Sequence, residues 1–426
     1  MTHEIEALLS FIQQSPSPAH TVAAAAARLR GAGFRELSLA EDWQLAAGGR
    51  YFVSVYGTTL LAFTVGDAGP LRMAAAHTDF PCFRLKPAAG LTRAGYGVLN
   101  VEPYGGLILR SWLDRPLGLA GRVVLRGEDA FHPATELVDF GRPLVMIPSL
   151  AIHMDRKVNE EGKLNAQTDM LPLAALLGDM GKGEDWWQAA LAALLGVTQE
   201  EILSYELSTY PFEAGCALGL ADELLSSPRL DNLTSVWACL EGLLSASAGS
   251  VPAGVRLVAL FDNEEVGSRT KQGAGSVVLA ETLRRIYEKA GGEAARAQAL
   301  AEGFLLSVDV AHGLHPAHVE KSDPAVHPVL GGGVVIKQAA SQAYAGDAEA
   351  VAIVRELARL QAIPVQDFVN RSDSRGGSTL GSIASALVPV RTMDVGVPIL
   401  AMHSARETMA AADEAALISL VRAVLA

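Results

Sequence analysis

Two adjacent glutamates close an apolar run. Val255-Arg256-Leu257-Val258-Ala259-Leu260-Phe261 leads directly into Asp262-Asn263-Glu264-Glu265-Val266-Gly267-Ser268. A buried strand that ends in acids presents them where open α/β sheets keep their ligands, beyond the carboxyl ends of the strands. Side chains alternate along an extended chain, so neighbouring glutamates diverge: one can bind a metal while the other stays free as a base. Four further places put acids or histidines at or near the ends of apolar runs: His77-Thr78-Asp79, Asp231-Asn232, Asp309 with His312, and His403 with Glu407. Each has an ordinary reading alone: a surface pair, a helix N-cap at Asp231, a buried acid, a core histidine. Their recurrence at successive strand ends favours one shared site. Counted as ligands, His77, Asp231, Glu265, Asp309 and His403 form a mixed nitrogen and oxygen set suited to zinc, or less decisively to manganese or cobalt. Two ions would need one carboxylate to bridge them, and would sit roughly 3.5–4 Å apart to clamp an attacking water and a substrate carbonyl. The remaining glutamate, Glu264, is then the general base. Asp79, two residues past His77, is placed to take the other ring N–H of that histidine and fix its tautomer.

The elements that would carry these residues alternate between strand and helix. Strand-like runs cover 51–56, 59–65, 71–76, 255–261, 304–308, 333–337 and 364–369. Helical pattern covers 18–30, 232–244, about 275–290, 347–360 and a final stretch from about Glu407 to Leu425. Such alternation predicts an α/β fold, with a mixed, mostly parallel sheet sandwiched by helices. Residues 93–225 break the pattern with glycine-punctuated β-type runs, a polar loop at 155–167 and a Trp186-Trp187 helix, and read as an inserted β-rich domain. The catalytic domain is then assembled from 1–92 and 226–426.

Composition narrows the function. The chain has 426 residues and a net charge of −13, with 34 basic against 47 acidic side chains. That balance offers no basic patch for a nucleic-acid partner. The cysteines, Cys82, Cys216 and Cys239, are odd in number and unclustered, which argues against a disulfide framework and for a reducing, cytoplasmic compartment. No apolar stretch is long enough to span a bilayer, and the first residues lack the charge order of a secretory signal. His3-Glu4 is no HExxH, Gly376-Gly377-Ser378-Thr379-Leu380 lacks the closing glycine of a nucleophile elbow, and Gly331-Gly332-Gly333 lacks the lysine of a P-loop.

A longer set of motifs resembles the aspartyl aminopeptidases, cytosolic dinuclear zinc exopeptidases. The matching stretches are Ala76-His77-Thr78-Asp79, Lys86-Pro87, Tyr104-Gly105-Gly106, Trp112-Leu113-Asp114-Arg115 and Ile147-Pro148-Ser149-Leu150-Ala151-Ile152-His153. They continue with Pro228-Arg229-Leu230-Asp231-Asn232-Leu233, Asn263-Glu264-Glu265-Val266-Gly267-Ser268, Asp309-Val310-Ala311-His312, His315-Pro316, Val335-Ile336-Lys337 and Met402-His403-Ser404-Ala405-Arg406-Glu407. The resemblance runs in order along nearly the whole chain. It implies removal of an N-terminal Asp or Glu from short peptides, by a metal-bound hydroxide between two zinc ions per subunit. Asp231 would bridge the ions, with His77, Asp309, Glu265 and His403 completing the two sites, Glu264 the base and Asp79 its support. It implies that the inserted domain dimerises, that His153 reaches a neighbouring subunit's active site, and that Lys337 meets the acidic side chain of the substrate. The assembly would be a homo-oligomer built of dimers, a closed dodecamer. Phe80, Ala317-His318 and the loop 370–378 depart from the family pattern near the substrate, which leaves the metal chemistry intact and loosens the implied acidic specificity. The rival readings are a dinuclear amidase or deacylase of the same fold, and a non-catalytic assembly protein.

Overall fold

Apolar runs from widely separated parts of the chain converge on one nine-stranded sheet. Its order is Arg35–Leu37, Gly49–Val55, Thr59–Val65, Val255–Phe261, Leu71–His77, Phe304–Val308, Arg391–Gly396, Val334–Lys337, Val365–Phe368. Leu71–His77 lies parallel to both Val255–Phe261 and Phe304–Val308, and Phe304–Val308 is parallel to Arg391–Gly396. These four strands therefore end at the same edge. Register makes the coincidence closer: His77 is level with Phe261, and Ser307 with Ala75, so Asp309 leaves the sheet level with His77.

The central strands are buried throughout, as expected where helices cover both faces. Val255, Leu257, Ala259 and Phe261 face one core, shared with Leu279, Leu283 and Ile286 of the helix Val278–Lys289 and with Leu380 and Ala384 of Leu380–Leu387. The alternate residue Arg256 points to the other face, where its guanidinium donates to the Leu425 carbonyl of the helix Ala411–Leu425 at 2.7 Å and to the Pro70 carbonyl at 2.8 Å. Carbonyl partners are what allow a cation to sit inside a sheet.

The computed structural model describes residues 3–177, 185–374 and 376–426. Contacts divide the chain into two units: Met1–Asp79 with Gly215–Met402 and Glu407–Ala426, and Phe80–Ala214 with His403–Arg406. The first holds the nine-stranded sheet and a second, five-stranded one, ordered Cys216–Leu218, Leu224–Ser227, Glu407–Ala410, Pro398–Leu400, Ala311–His312. The expected helix from Glu407 thus begins only at Ala411. Glu407–Ala410 is drawn into sheet pairing with Leu224–Ser227 and Pro398–Leu400, a non-local choice that local helical pattern does not register.

The second unit is an antiparallel six-stranded sheet, His132–Asp139, Leu117–Asp129, Ile202–Pro211, Cys82–Arg93, Tyr96–Tyr104, Leu173–Leu176. Trp187 and Leu191 of the helix Trp186–Leu195 pack into its core. Gly90 makes that approach feasible, because a Cβ there would lie 2.8 Å from the Trp187 Cβ. The inserted stretch starts and ends earlier than the expected 93–225, since the strand Cys82–Arg93 belongs wholly to this sheet.

Candidate metal centre

His77 is the last residue of its strand and is buried. Its Nδ1 lies 3.0 Å from the carbonyl oxygen of Asp79 and 3.4 Å from the Asp79 Oδ1. A carbonyl only accepts, so Nδ1 carries a proton and Nε2 is the ring nitrogen turned to the site. Around that Nε2 lie Asp231 Oδ1 at 3.5 Å, Asp309 Oδ1 at 3.6 Å and Glu264 Oε2 at 4.0 Å.

The Asp79 carboxylate has a role that spacing alone did not indicate. It accepts the backbone N–H of Glu264 through Oδ1 and that of Glu265 through Oδ2, both at 3.1 Å. One buried acid thereby ties the His77 strand end to the glutamate pair. The pair itself is not extended. Asn263, at φ 63°, and Gly267, at φ 97°, bracket a single 3₁₀ turn over Glu264–Val266. The strand alternation expected to separate the two glutamates is therefore absent, and each brings a carboxylate oxygen within 4.8 Å of the other and of a His77 ring nitrogen.

Asp231 opens the helix Leu230–Ala246, its N–H donating to Glu407 Oε2 at 3.0 Å, and the Asp231–Asn232 peptide bond is cis. Asn232 straddles Asp309: its amide donates to the Val308 carbonyl at 3.0 Å and accepts from the Val310 N–H at 3.3 Å. Asp309 also donates its N–H to the Val395 carbonyl at 2.9 Å. Gly396 leaves room for the Asp309 carbonyl, which would lie 1.8 Å from a Cβ at that position. Lys337, buried at its strand end, donates from Nζ to the Asp309 carbonyl at 2.8 Å and the Val310 carbonyl at 3.2 Å, with Asp309 Oδ2 at 3.6 Å. Beside it opens a cavity of about 960 Å³ whose walls include Gln338, Gln342, Tyr344, Asn370 and Arg371. The departing loop 370–378 contributes to it, with Arg375 outside the described residues.

Two of the expected residues belong to the second unit. His403 sits at φ 66° in the segment His403–Arg406, its Nδ1 3.0 Å from the Gly106 carbonyl, which again directs the lone pair to Nε2. His153 is exposed in a turn with Leu150, Ile152 and Met154.

The donor set suits a divalent ion on geometry as well as type. His77, Asp231 and Asp309 offer one ligand atom each within 4.8 Å of one another, and so do His77, Glu264 and Glu265. Ligand atoms held about 2.0–2.2 Å from one tetrahedral zinc lie roughly 3.3–3.6 Å apart. The 3.5 and 3.6 Å separations at His77 Nε2 match that spacing. Electrostatics point the same way. Burial, reinforced by Asp309, Asp79 and Asp231 and partly offset by His77, pushes the Glu264 carboxyl up to about 8. Burial and the neighbouring acids, Asp231 first, raise Glu265 well above the carboxylate range. Burial alone would lower His77, but Asp231, Asp309, Asp79 and Glu264 overcome it and hold the imidazole well above its ordinary value.

The family model described as aminopeptidase I zinc metalloprotease (M18) matches residues 11–424. A relative from Clostridium acetobutylicum, named "Probable M18 family aminopeptidase 2", is 42% identical over 422 residues and spans 97% of each chain. The cryo-EM structure of the Ape4 and Nbr1 complex contains a chain that superposes with a TM-score of 0.94 at 33% identity, covering 99% of this chain and 85% of that one. The S. cerevisiae mApe1 dodecamer matches with a TM-score of 0.83 at 26% identity, covering 98% and 95%.

The raised groups fix the sign of a pH dependence. Between the unfolded and folded values of Glu264 and Glu265 the folded chain binds more protons, so stability falls as pH rises. His77 acts in the same sense, its contribution complete below the ordinary imidazole value and lost as pH passes the folded one. Chelator-stripped protein should therefore lose Tm steadily from about pH 5 to about pH 8, and added zinc should remove most of that slope. Differential scanning calorimetry across that range checks it; a flat or rising Tm in the stripped protein contradicts it.

Proposed function

The chain belongs to the M18 family of aminopeptidase I zinc metalloproteases, and on that premise we propose that Glu264 is its general base and that peptides beginning with Asp or Glu are its preferred substrates. Family membership decides for an aminopeptidase over the deacylase and scaffold alternatives. The observation that carries the mechanistic reading is the double hydrogen bond from Asp79 to the main chain of Glu264 and Glu265. It holds the pair in one orientation relative to His77 while leaving both glutamate carboxylates for chemistry.

Two zinc ions would be held by His77, Asp309, Glu265 and His403 with Asp231 shared between them. When bound, zinc polarises the scissile carbonyl and lowers the pKa of a coordinated water. The chain's own residues supply the proton traffic. Glu264 accepts a proton from the attacking water on its carboxylate and returns it to the departing amine nitrogen. Asp79 holds the backbone under that carboxylate, so the base does not drift between the two transfers. Lys337 brings the cation that an acidic first side chain would meet, next to the cavity lined by Gln338, Tyr344 and Arg371. His153, exposed on the second unit, would serve a neighbouring subunit's site, in a dimer-based homo-oligomer that we take to be a dodecamer acting on short peptides in the cytoplasm. The S. cerevisiae mApe1 structure is a dodecamer, which supports the dodecameric part of that reading. No helix among the described residues is long and apolar enough to cross a membrane.

Glu264→Gln should keep its zinc and lose about 10²- to 10⁴-fold in kcat. A wild-type rate would remove Glu264 from the base role. Asp231→Asn should emerge from purification with clearly less zinc by elemental analysis; full zinc content would refute bridging. Lys337→Ala should cost more kcat/KM on Asp-headed than on Ala-headed peptides, and an equal loss on both would count against a specificity role.

A further inference from the structure

The Glu264-Glu265 turn lies on a loop that leaves the sheet at Asp262 and is closed at Gln272. The closure is made on main-chain groups, once directly and once through a threonine hydroxyl. The Asp262 N–H donates to the Gln272 carbonyl at 3.3 Å, and the Thr59 hydroxyl donates to the same carbonyl at 2.7 Å while accepting the Asp262 N–H at 2.9 Å. The Gln272 side chain then adds a second layer. Its Nε2 donates to Asp262 Oδ2 at 3.1 Å and to Thr58 Oγ1 at 3.2 Å, and its Oε1 accepts from Lys271 Nζ at 2.8 Å. Asp262 passes the constraint on through Oδ1, which accepts the Asn263 N–H at 2.7 Å immediately before the turn. Thr58 passes it the other way, its carbonyl accepting the hydroxyl of Thr78 at 2.7 Å, and Thr78 stands between His77 and Asp79.

We infer that Gln272 is a positioning residue that sets the distance between the His77-Asp79 strand end and the Glu264-Glu265 turn. A neutral amide suits the place. It supplies two donors, one to a buried acid and one to a buried hydroxyl, without adding charge beside Asp262 and Asp79. Gln272 touches neither substrate nor ligand atoms; it acts through Asp262, Asn263 and Thr58. The inference rests on the roles proposed for Glu264 and Glu265, and it extends them one layer outward.

The test is Gln272→Met, which keeps the side chain's length and removes its hydrogen bonds, run beside Glu264→Gln. Zinc affinity is read by competition with a chromophoric chelator, and kcat and KM are read separately on one peptide. Gln272→Met should weaken zinc by about 10- to 100-fold, the scale on which partners that orient ligands act. It should also lower zinc-saturated kcat at least tenfold, with KM within about twofold. Wild-type zinc affinity and kcat in folded Gln272→Met would overturn the positioning role, and a lowered Tm with both parameters intact would overturn it equally by showing a purely structural part. Glu264→Gln tells the two readings apart: a wild-type rate there sinks the base assignment, whatever Gln272→Met does to zinc. Should Gln272→Met fail to accumulate as folded protein, Thr58→Val removes one acceptor of the same amide at nearly constant shape. A fall in kcat of threefold or more supports the inference, and an unchanged kcat with unchanged zinc affinity contradicts it.

Discussion

The site depends on a crowd of like charges kept out of water. Asp79, Asp231, Glu264, Glu265 and Asp309 collect around a single buried imidazole and a single buried ammonium. Burying carboxylates costs several kcal/mol each unless a cation and hydrogen bonds compensate. Part of the compensation is built in: Asp79 takes two main-chain N–H groups, and Lys337 lies against Asp309. The rest must come from protons or from metal, and burial among like charges pushes Glu264, Glu265 and His77 towards their protonated forms. Selection among cations follows from the donor types, because imidazole nitrogen among carboxylate oxygens at tetrahedral spacing suits zinc better than magnesium or calcium.

Everything around that crowd holds it in place. Parallel pairing brings His77, Phe261 and Val308 to one edge, and a turn bounded by Asn263 and Gly267 then redirects the chain so that both glutamates face the strand end they came from. Asn232 performs the same service for Asp309, grasping the residues on either side of it. The pattern is a repulsive set of acids and a histidine on a support tied down by main-chain hydrogen bonds. That arrangement would let the metal-ligand role proposed for Glu265 and the base role proposed for Glu264 fall on adjacent residues.

Much of this was legible in the sequence because acids after apolar runs are costly and therefore conspicuous. The parallel α/β sheet and the grouping of His77, Asp231, Glu264, Glu265 and Asp309 follow from that signal. What stayed hidden depends on contacts distant in sequence. Glu407 looked like the start of a helix, but it pairs in a sheet and caps the Asp231 N–H. Asp79 meets the His77 ring as expected, through its carbonyl at 3.0 Å and Oδ1 at 3.4 Å, but that its carboxylate also holds the glutamate turn has no signal in the spacing. Gln272 and Asn232 carry no pattern of their own, since an amide's function lies in which groups it bridges. The unit boundary at Phe80 was missed because the strand Cys82–Arg93 has the same β character as the strands before it.

On this reading the carboxylate crowd holds protons that a metal ion displaces. Proton release on zinc binding tests it most directly, measured by titration calorimetry of chelator-stripped protein at pH 7 in buffers of different ionisation enthalpy. The account predicts a net release of at least about one proton per chain, drawn from Glu264, Glu265 and His77. Zinc binding with no proton release, or with uptake, would contradict it.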